Sequence, residues 1–160
     1  MSSEYDVVII GSGPGGYVGA IRCAQLGLKT AIVEKYSTLG GTCLNVGCIP
    51  SKALLDSSHR YHDTVHSHKD HGIQVSEASL DLVKMMERVE KKVVAPTCEG
   101  VKFLMKKNKI DVFHGLGSFI NAHELLVSGE SEQTIKAKNF IIATGSKPAT
   151  LHGIEIDKER

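Results

Sequence analysis

Two apolar runs lie near the beginning of the chain, and a segment with helical periodicity separates them. Residues 5–10 form the first run and residues 29–34 the second, and each run predicts a strand. Pro14 and the neighbouring glycines open a helix that we expect to run to about residue 26, with Gly27 as its C-terminal cap. The order strand, helix, strand predicts a right-handed parallel crossover unit.

The middle of the chain has the pattern of helices. A loop at residues 40–41 runs into a predicted helix that begins at about Cys43. Apolar residues recur at helical spacing among charged ones between residues 82 and 93, which predicts an amphipathic helix. We expect Pro96 to kink or end this helix, because proline lacks a backbone N–H. A further apolar helical face follows at residues 101–105.

The apolar pattern changes to that of short strands from residue 110 onward. Gly129 and the three polar residues after it predict a turn between two of these strands. The whole order predicts an α/β fold, with a doubly wound Rossmann-like core and a β-meander. We expect no regular element after Pro148. The predicted strands are residues 110–114, 124–127, 133–137 and 140–143.

Length, charge and composition exclude several classes of protein. A chain of 160 residues suits one domain with a core of its own. Lys and Arg number 19 against 18 Asp and Glu, so a nucleic-acid partner is not expected. The longest apolar runs are strand-sized, so no membrane span is expected. The N-terminus lacks a leader pattern, so we expect a cytoplasmic protein, or a mitochondrial matrix protein whose leader has been removed.

A glycine-rich loop joins the first predicted strand to the first helix. Gly11, Gly13 and Gly16 match the G-x-G-x-x-G pattern, in which the glycines allow a tight turn, backbone approach to a pyrophosphate and close packing of helix on strand. Glu34 ends the second strand, where a carboxylate can accept hydrogen bonds from ribose hydroxyls and would repel a 2′-phosphate. The pattern alone does not separate FAD from NAD, and an ordinary glycine-rich turn is the alternative.

Four residues separate Cys43 from Cys48. Positions i and i+5 do not share a helical face, so a bond between them needs local distortion, which Gly47 and Pro50 favour. A ring of six residues adds only about 2 kcal/mol of stability, so it can open without unfolding the domain. The sequence therefore favours a disulfide that is reduced and re-formed during a reaction. A structural disulfide, half of a zinc site and two inert thiols remain the alternatives.

Three segments together resemble the FAD-dependent pyridine nucleotide-disulfide oxidoreductases: the glycine loop with Glu34, residues 40–52, and residues 143–146. The resemblance implies FAD rather than NAD at the first loop. It implies that Cys43 exchanges with substrate, that Cys48 lies deeper and faces the flavin, and that Lys52 lies near the flavin ring. The residues implied to bind FAD are Gly11, Gly13, Pro14, Gly15, Gly16, Glu34, Lys35, Gly41, Thr42, Cys43, Cys48, Lys52, Gly117, Ala143, Thr144, Gly145 and Ser146.

Within that family, residues 43–55 are most similar to the members that oxidise dihydrolipoyl groups with NAD⁺. This resemblance implies a lipoyl domain of a 2-oxo acid dehydrogenase complex as partner, and a homodimer. Glutathione and mercuric reductases share the cysteine spacing but usually carry Val at one or both of the positions of Leu44 and Ile49. A reductase of that kind, and a non-catalytic redox or zinc-binding module, are the alternatives.

The resemblance also predicts how the chain is divided. Residues 1–148 are expected to be the N-terminal portion of an FAD domain, and residues 149–160 a tail that leads toward an NAD domain. No second glycine loop is found in the sequence, and the acid–base His of the family is not expected in it, so the chain alone is not expected to turn over. No metal site is expected, and the histidines of residues 59–71 are interpreted as a solvated surface.

Overall fold

The computed structural model describes residues 4–154 and 156–157 and contains six strands and five α-helices there. The elements are β1 Glu4–Ile10, α1 Pro14–Gln25, β2 Thr30–Glu34, α2 Gly41–Asn45, α3 Cys48–His66, α4 Leu82–Val89, α5 Ala95–Lys107, β3 Asp111–His114, β4 Leu116–Asn121, β5 Glu124–Ser128 and β6 Gln133–Ile142. A 3₁₀ turn at His68–His71 follows α3, and a π turn at Glu90–Val94 joins α4 to α5. The six strands form one mixed sheet in the order β3-β2-β1-β6-β5-β4.

The parallel half of the sheet is built on β1. This strand pairs in parallel with β2 on one side and with β6 on the other, and β2 pairs in parallel with β3. Ile9 is opposite Ile32 of β2 and Ile141 of β6, so the middle of β1 is covered on both edges. The predicted strand–helix–strand crossover unit is confirmed, with boundaries within one residue of those expected.

The side chains of β1 divide between two separate cores. From Val7 onward the side chains alternate: Val7 and Ile9 pack with Ala20 of α1 and Met105 of α5, whereas Val8 and Ile10 pack with residues of β2, β5 and β6. Alternate residues of a strand point to opposite faces of its sheet. The helices α1 and α5 therefore cover one face of the parallel strands, and the antiparallel strands cover the other. The predicted α/β Rossmann-like fold is confirmed.

The antiparallel half differs in two places from the sequence-based prediction. The strands predicted at residues 133–137 and 140–143 are one strand, β6, which runs through the polar residues between them. Those polar residues bind Asp6 of β1: Lys138 Nζ lies 2.7 Å from Asp6 Oδ1, and Asn139 Nδ2 donates to the Asp6 carbonyl oxygen at 3.2 Å. The sequence does not predict strand β4. All of its residues except Gly117 are exposed, so the strand has no buried face and no alternation of apolar and polar residues.

The helix that precedes the meander does not end at Pro96. Helical backbone angles continue from α4 through the π turn into α5, and Pro96 lies in the first turn of α5. A π turn is wider than an α turn, and here it comes directly before the residue that lacks an N–H. In the described part of the chain, no helix combines the length and apolar character needed to cross a bilayer.

Candidate functional site

A cleft of about 760 Å³ opens at the carboxyl ends of β1, β2 and β6. This edge of a parallel sheet is where α/β proteins bind ligands, and the volume lies within the usual range of roughly 300–1,000 Å³ for ligand sites. Segments distant in sequence line it: residues 10–15, 33–36, 41–43, 115–117 and 143–147. The glycine loop, the end of β2, the first cysteine and the segment after β6 therefore meet around one space. These are segments that the family resemblance implies for FAD.

Two glycines of the loop are required by close backbone packing. Gly11 has a φ of +100°, and a Cβ there would collide with the carbonyl oxygen of Ala143. The backbone N–H of Ala143 in turn donates to the Ile10 carbonyl oxygen at 2.8 Å. A Cβ on Gly16 would overlap the Gly11 carbonyl oxygen, so the third glycine allows α1 to lie against the end of β1. These are the turn and packing roles expected from the motif.

The second glycine of the motif faces another glycine. Gly41, at the start of α2, has a φ of +61°, and a Cβ on it would lie 2.6 Å from the Cα atom of Gly13. A Cβ on Gly13 would meet only the Cα atom of Gly41, at 4.0 Å, and otherwise enters open space in the cleft. The backbone of Gly13 is thus open to a ligand, which fits the predicted approach of a pyrophosphate.

Glu34 is buried, with 5% of its surface exposed, and both of its carboxylate oxygens accept hydrogen bonds. Oε2 accepts from the backbone N–H and the hydroxyl of Ser12, at 2.9 and 2.6 Å, and Oε1 accepts from the backbone N–H of Tyr36 at 3.0 Å. A carboxylate offers about four acceptor positions, so Oε1 retains one for a ligand hydroxyl. Ser12 was missed from the sequence, although an acid at the buried end of a strand requires donors nearby.

The Cys43 and Cys48 sulfurs form a disulfide, with Cα atoms 4.6 Å apart. Helix α2 stops at Asn45 and α3 begins at Cys48, so the backbone leaves the helical path between them. The N–H groups of Val46 and Gly47 both donate to the Thr42 carbonyl oxygen, at 2.9 and 2.7 Å. The distortion at Gly47 that the sequence predicted is confirmed, because the two cysteines lie on two helices instead of one.

The two sulfur-bearing residues differ in exposure, in the order opposite to the expected one. Cys43 is half-buried, packs on the helical core and lines the cleft, whereas Cys48 is exposed at the start of α3. Lys52 is exposed one helical turn beyond Cys48. Of the predicted cofactor-binding residues, Gly16, Cys48 and Lys52 do not line the cleft, and the remaining fourteen do.

Other residues complete the cleft that the sequence did not single out. Tyr36, Leu116 and Lys147 line it, and the Nζ atom of Lys35 lies 4.8 Å from the ring centre of Tyr36, within cation–π range. The predicted Gly117 belongs to β4 and pairs with Val127 of β5, and a Cβ on it would lie 3.1 Å from Leu125 Cδ2. Tyr36 could have been found from the sequence, because it follows the predicted site residues Glu34 and Lys35 directly.

The histidine-rich end of α3 lies away from the cleft. His59, His62 and His66 are exposed, as interpreted from the sequence, and the rings of His62 and His66 have centres 4.7 Å apart. Within residues 4–154 and 156–157, no group of three or more His, Cys, Asp or Glu side chains is arranged to hold a metal ion. Cys23 is half-buried and Cys98 is buried, both with free thiols.

Comparison with known proteins gives one family. The family profile described as pyridine nucleotide-disulphide oxidoreductase matches residues 5–159. The chain is 55% identical to the mitochondrial dihydrolipoyl dehydrogenase of Schizosaccharomyces pombe and 53% identical to that of Pisum sativum, in each case over 99% of this chain and 32% of the relative. It is 51% identical to leghemoglobin reductase of Vigna unguiculata, over 99% of this chain and 31% of that protein. The chain spans about a third of the length of these curated relatives.

Proposed function

Because the chain belongs to the pyridine nucleotide-disulphide oxidoreductase family, we propose that it forms the FAD-binding part of a flavoprotein that oxidises dihydrolipoyl groups. The observation that carries the proposal is the disulfide between Cys43 and Cys48, whose first cysteine lines the same cleft as the glycine loop. A redox-active sulfur pair and a nucleotide site are the two parts that such an enzyme must bring together.

The residues of the cleft fit FAD by their chemistry. The open backbone at Gly13 and the N-terminus of α1 suit the pyrophosphate, and Oε1 of Glu34 suits a ribose hydroxyl. Gly117 and residues 143–146 supply backbone along the rest of the cleft. Bound FAD supplies two-electron chemistry between the sulfur pair and NAD⁺, and the protein's part is to hold it in place.

The sulfur pair performs thiol–disulfide exchange. A thiolate of the reduced lipoyl group attacks the Cys43 sulfur, the Cys43–Cys48 bond breaks, and Cys48 leaves as a thiolate. The second lipoyl thiolate then displaces Cys43, which closes the lipoyl disulfide. The lipoyl group loses two electrons and releases two protons, and the cysteine pair gains the two electrons. Following the family resemblance, we assign substrate exchange to Cys43, contact with the flavin to Cys48, and support of the anionic reduced site to Lys52, although in this chain Cys43 lines the cleft and the other two do not.

The whole protein's surroundings follow from the same proposal. We propose that residues 1–148 are the N-terminal part of an FAD domain and that residues 149–160 lead toward an NAD-binding domain. The proposed partners are a lipoyl domain of a 2-oxo acid dehydrogenase complex and a second copy of the chain. Of the two expected compartments, the cytoplasm and the mitochondrial matrix, we propose the mitochondrial one, because the relatives from Schizosaccharomyces pombe and Pisum sativum are named as mitochondrial.

Two single substitutions in the whole protein test the proposal, Cys48→Ser and Cys43→Ser. Wild-type protein is expected to be yellow and to reduce NAD⁺ with dihydrolipoamide. On two-electron reduction it is expected to develop a long-wavelength band from a thiolate beside the flavin. Cys48→Ser is expected to abolish both the band and turnover. Cys43→Ser is expected to abolish turnover and to show the band already without reductant, because Cys48 is then a free thiolate beside the oxidised flavin. Cys23→Ser, outside the cleft, is the matched control and is expected to behave as wild type.

A colourless protein, or a yellow one without dihydrolipoamide activity, contradicts the proposed function. An unchanged band in Cys48→Ser contradicts the roles assigned to the two cysteines while leaving the function in place.

A further inference from the structure

Asn45 lies between the two cysteines in sequence, and both ends of its side-chain amide make hydrogen bonds. Its Nδ2 atom donates to the carbonyl oxygens of Leu39 and Gly41, at 3.1 and 2.9 Å. Both acceptors belong to the segment that leads into Cys43. The amide therefore ties the end of α2 back to the turn before it, and two carbonyl acceptors fix which end of the amide is nitrogen.

The other end of the amide reaches the helical layer. Asn45 Oδ1 accepts a hydrogen bond from the Cys98 thiol, with a distance of 3.3 Å between Sγ and Oδ1. Cys98 is 8% exposed and lies on α5. Burial, and to a lesser degree the negative charge of Glu99, raises the pKa of the Cys98 thiol, which keeps its proton available for donation. The loop of the two cysteines is thus anchored to a helix more than fifty residues away in sequence.

We propose that Asn45 is a positioning residue that keeps the Cys43 and Cys48 sulfurs within bonding distance of each other in the reduced state, with Cys98 as its anchor. The inference rests on the proposed function, in which the disulfide opens in every cycle. None of the three hydrogen bonds of the Asn45 amide uses a sulfur of the pair, so opening the disulfide removes none of them.

The direction of the effect follows from thiol exchange. The tendency of two thiols to close a disulfide rises with their effective concentration, which a fixed loop keeps high. Loosening the loop lowers that concentration and shifts the pair toward the dithiol. With dithiothreitol as reductant, the reagent loses two electrons and two protons to become its cyclic disulfide. Cys43 and Cys48 gain them and become thiols.

The experiment measures this equilibrium constant in Asn45→Leu. The purified protein is equilibrated with set ratios of reduced and oxidised dithiothreitol, quenched in acid, alkylated under denaturing conditions and weighed by mass spectrometry. Reduction of the pair adds two alkyl groups. Because the amide hydrogen bonds form in both redox states, their own energies cancel. The lower effective concentration in the loosened loop is expected to shift the constant roughly twofold to tenfold toward the dithiol. Asn108→Leu is the matched control, because the Asn108 amide makes a similar bond to the Leu104 carbonyl oxygen at the far end of α5.

Cys98 supplies an independent pair of variants. Cys98→Ala removes the donor to Asn45 and is expected to shift the equilibrium in the same direction by a smaller factor. Cys98→Ser restores a hydroxyl donor and is expected to return it toward the wild-type value. A merely structural role for Cys98 would lower the melting temperature of Cys98→Ala and leave the exchange constant unchanged. This pair keeps the test decisive if Asn45→Leu does not fold.

If folded Asn45→Leu or Cys98→Ala has the same exchange equilibrium constant as the wild-type protein, the positioning role is wrong. The proposed function fails separately, because it requires bound flavin and dihydrolipoamide turnover in the wild-type protein, neither of which enters this measurement.

Discussion

The contact between Ser12 and Glu34 shows how a single residue prepares the site. Ser12 is fully buried and donates twice to Glu34, and its hydroxyl also accepts from the backbone N–H of Gly40 at 3.2 Å. A buried carboxylate without donors is strongly unfavourable. Ser12 therefore supplies donors to the buried carboxyl group of Glu34, and it joins the glycine loop to the turn before α2.

Replacement of this serine is expected to be costly. Ser12→Ala removes the hydroxyl bond to a charged group, which contributes about 1.5–3 kcal/mol, and the free energy of unfolding is expected to fall by that amount. Urea titration followed by circular dichroism measures it. Ser58→Ala removes an exposed hydroxyl that bonds only within its own helix, and it is expected to stay within about 0.5 kcal/mol of wild type. Equal losses in the two variants would contradict the assigned role.

The sequence predicts which residues belong to the site better than it predicts the contacts between them. The glycines at positions 11 and 16, the acid at position 34 and the cysteine pair were identified because their spacing along one short segment carries the signal. The bond from Ser12 to Glu34 and the bond from Cys98 to Asn45 were not identified, because they join residues 22 and 53 positions apart. The relative exposure of Cys43 and Cys48 was predicted in the wrong order, since spacing does not specify which sulfur packs on the core.

At the level of elements, the packing of α1 on β1 depends on one missing side chain. Gly16 lies in the first turn of α1 and is buried against the Gly11 carbonyl group, whereas Gly19, one turn later, has open space around it. The same substitution at these two positions therefore has opposite expected results.

Gly16→Ala is expected to destabilise the protein and weaken flavin binding, because its Cβ overlaps backbone that cannot move without displacing the loop. Gly19→Ala is expected to raise the free energy of unfolding by about 0.5–1 kcal/mol, the usual gain for alanine within a helix. Thermal melts and flavin fluorescence titrations measure both effects. If the two variants were equally stable, close helix–strand packing at residue 16 would not be what the motif requires.

Element boundaries were predicted well where apolar runs are continuous and less well where polar residues interrupt them. Strand β6 lies between β1, to which it is parallel, and β5, to which it is antiparallel. Its polar residues Lys138 and Asn139 make hydrogen bonds to Asp6 of β1. Strand β4 is almost entirely exposed, so no buried face leaves a pattern in its sequence. The sequence predicts a kink or an end of the helix at Pro96, and the structure has a π turn directly before it, which has no sequence signature of its own.

At the scale of the molecule, the disulfide lies beside the folded core and is not its main support. The two buried clusters consist mainly of apolar residues of β1, β2, α5 and the meander, with Cys43 packed only against the margin of one of them. Closing a ring of six residues is expected to contribute about 2 kcal/mol through the unfolded state. The fold can therefore persist while the pair is open, as a cycling bond requires.

Reduction of the whole protein tests this independence of fold and disulfide. Urea unfolding with and without reductant is expected to differ by about 2 kcal/mol in free energy, with the native circular dichroism spectrum kept. The double variant Cys43→Ser with Cys48→Ser is expected to match the reduced protein and to be insensitive to reductant, because the other two cysteines of this chain, Cys23 and Cys98, are free thiols. Unfolding on reduction would mean that the ring supports the sheet and helices, and a bond of that kind is structural and does not cycle.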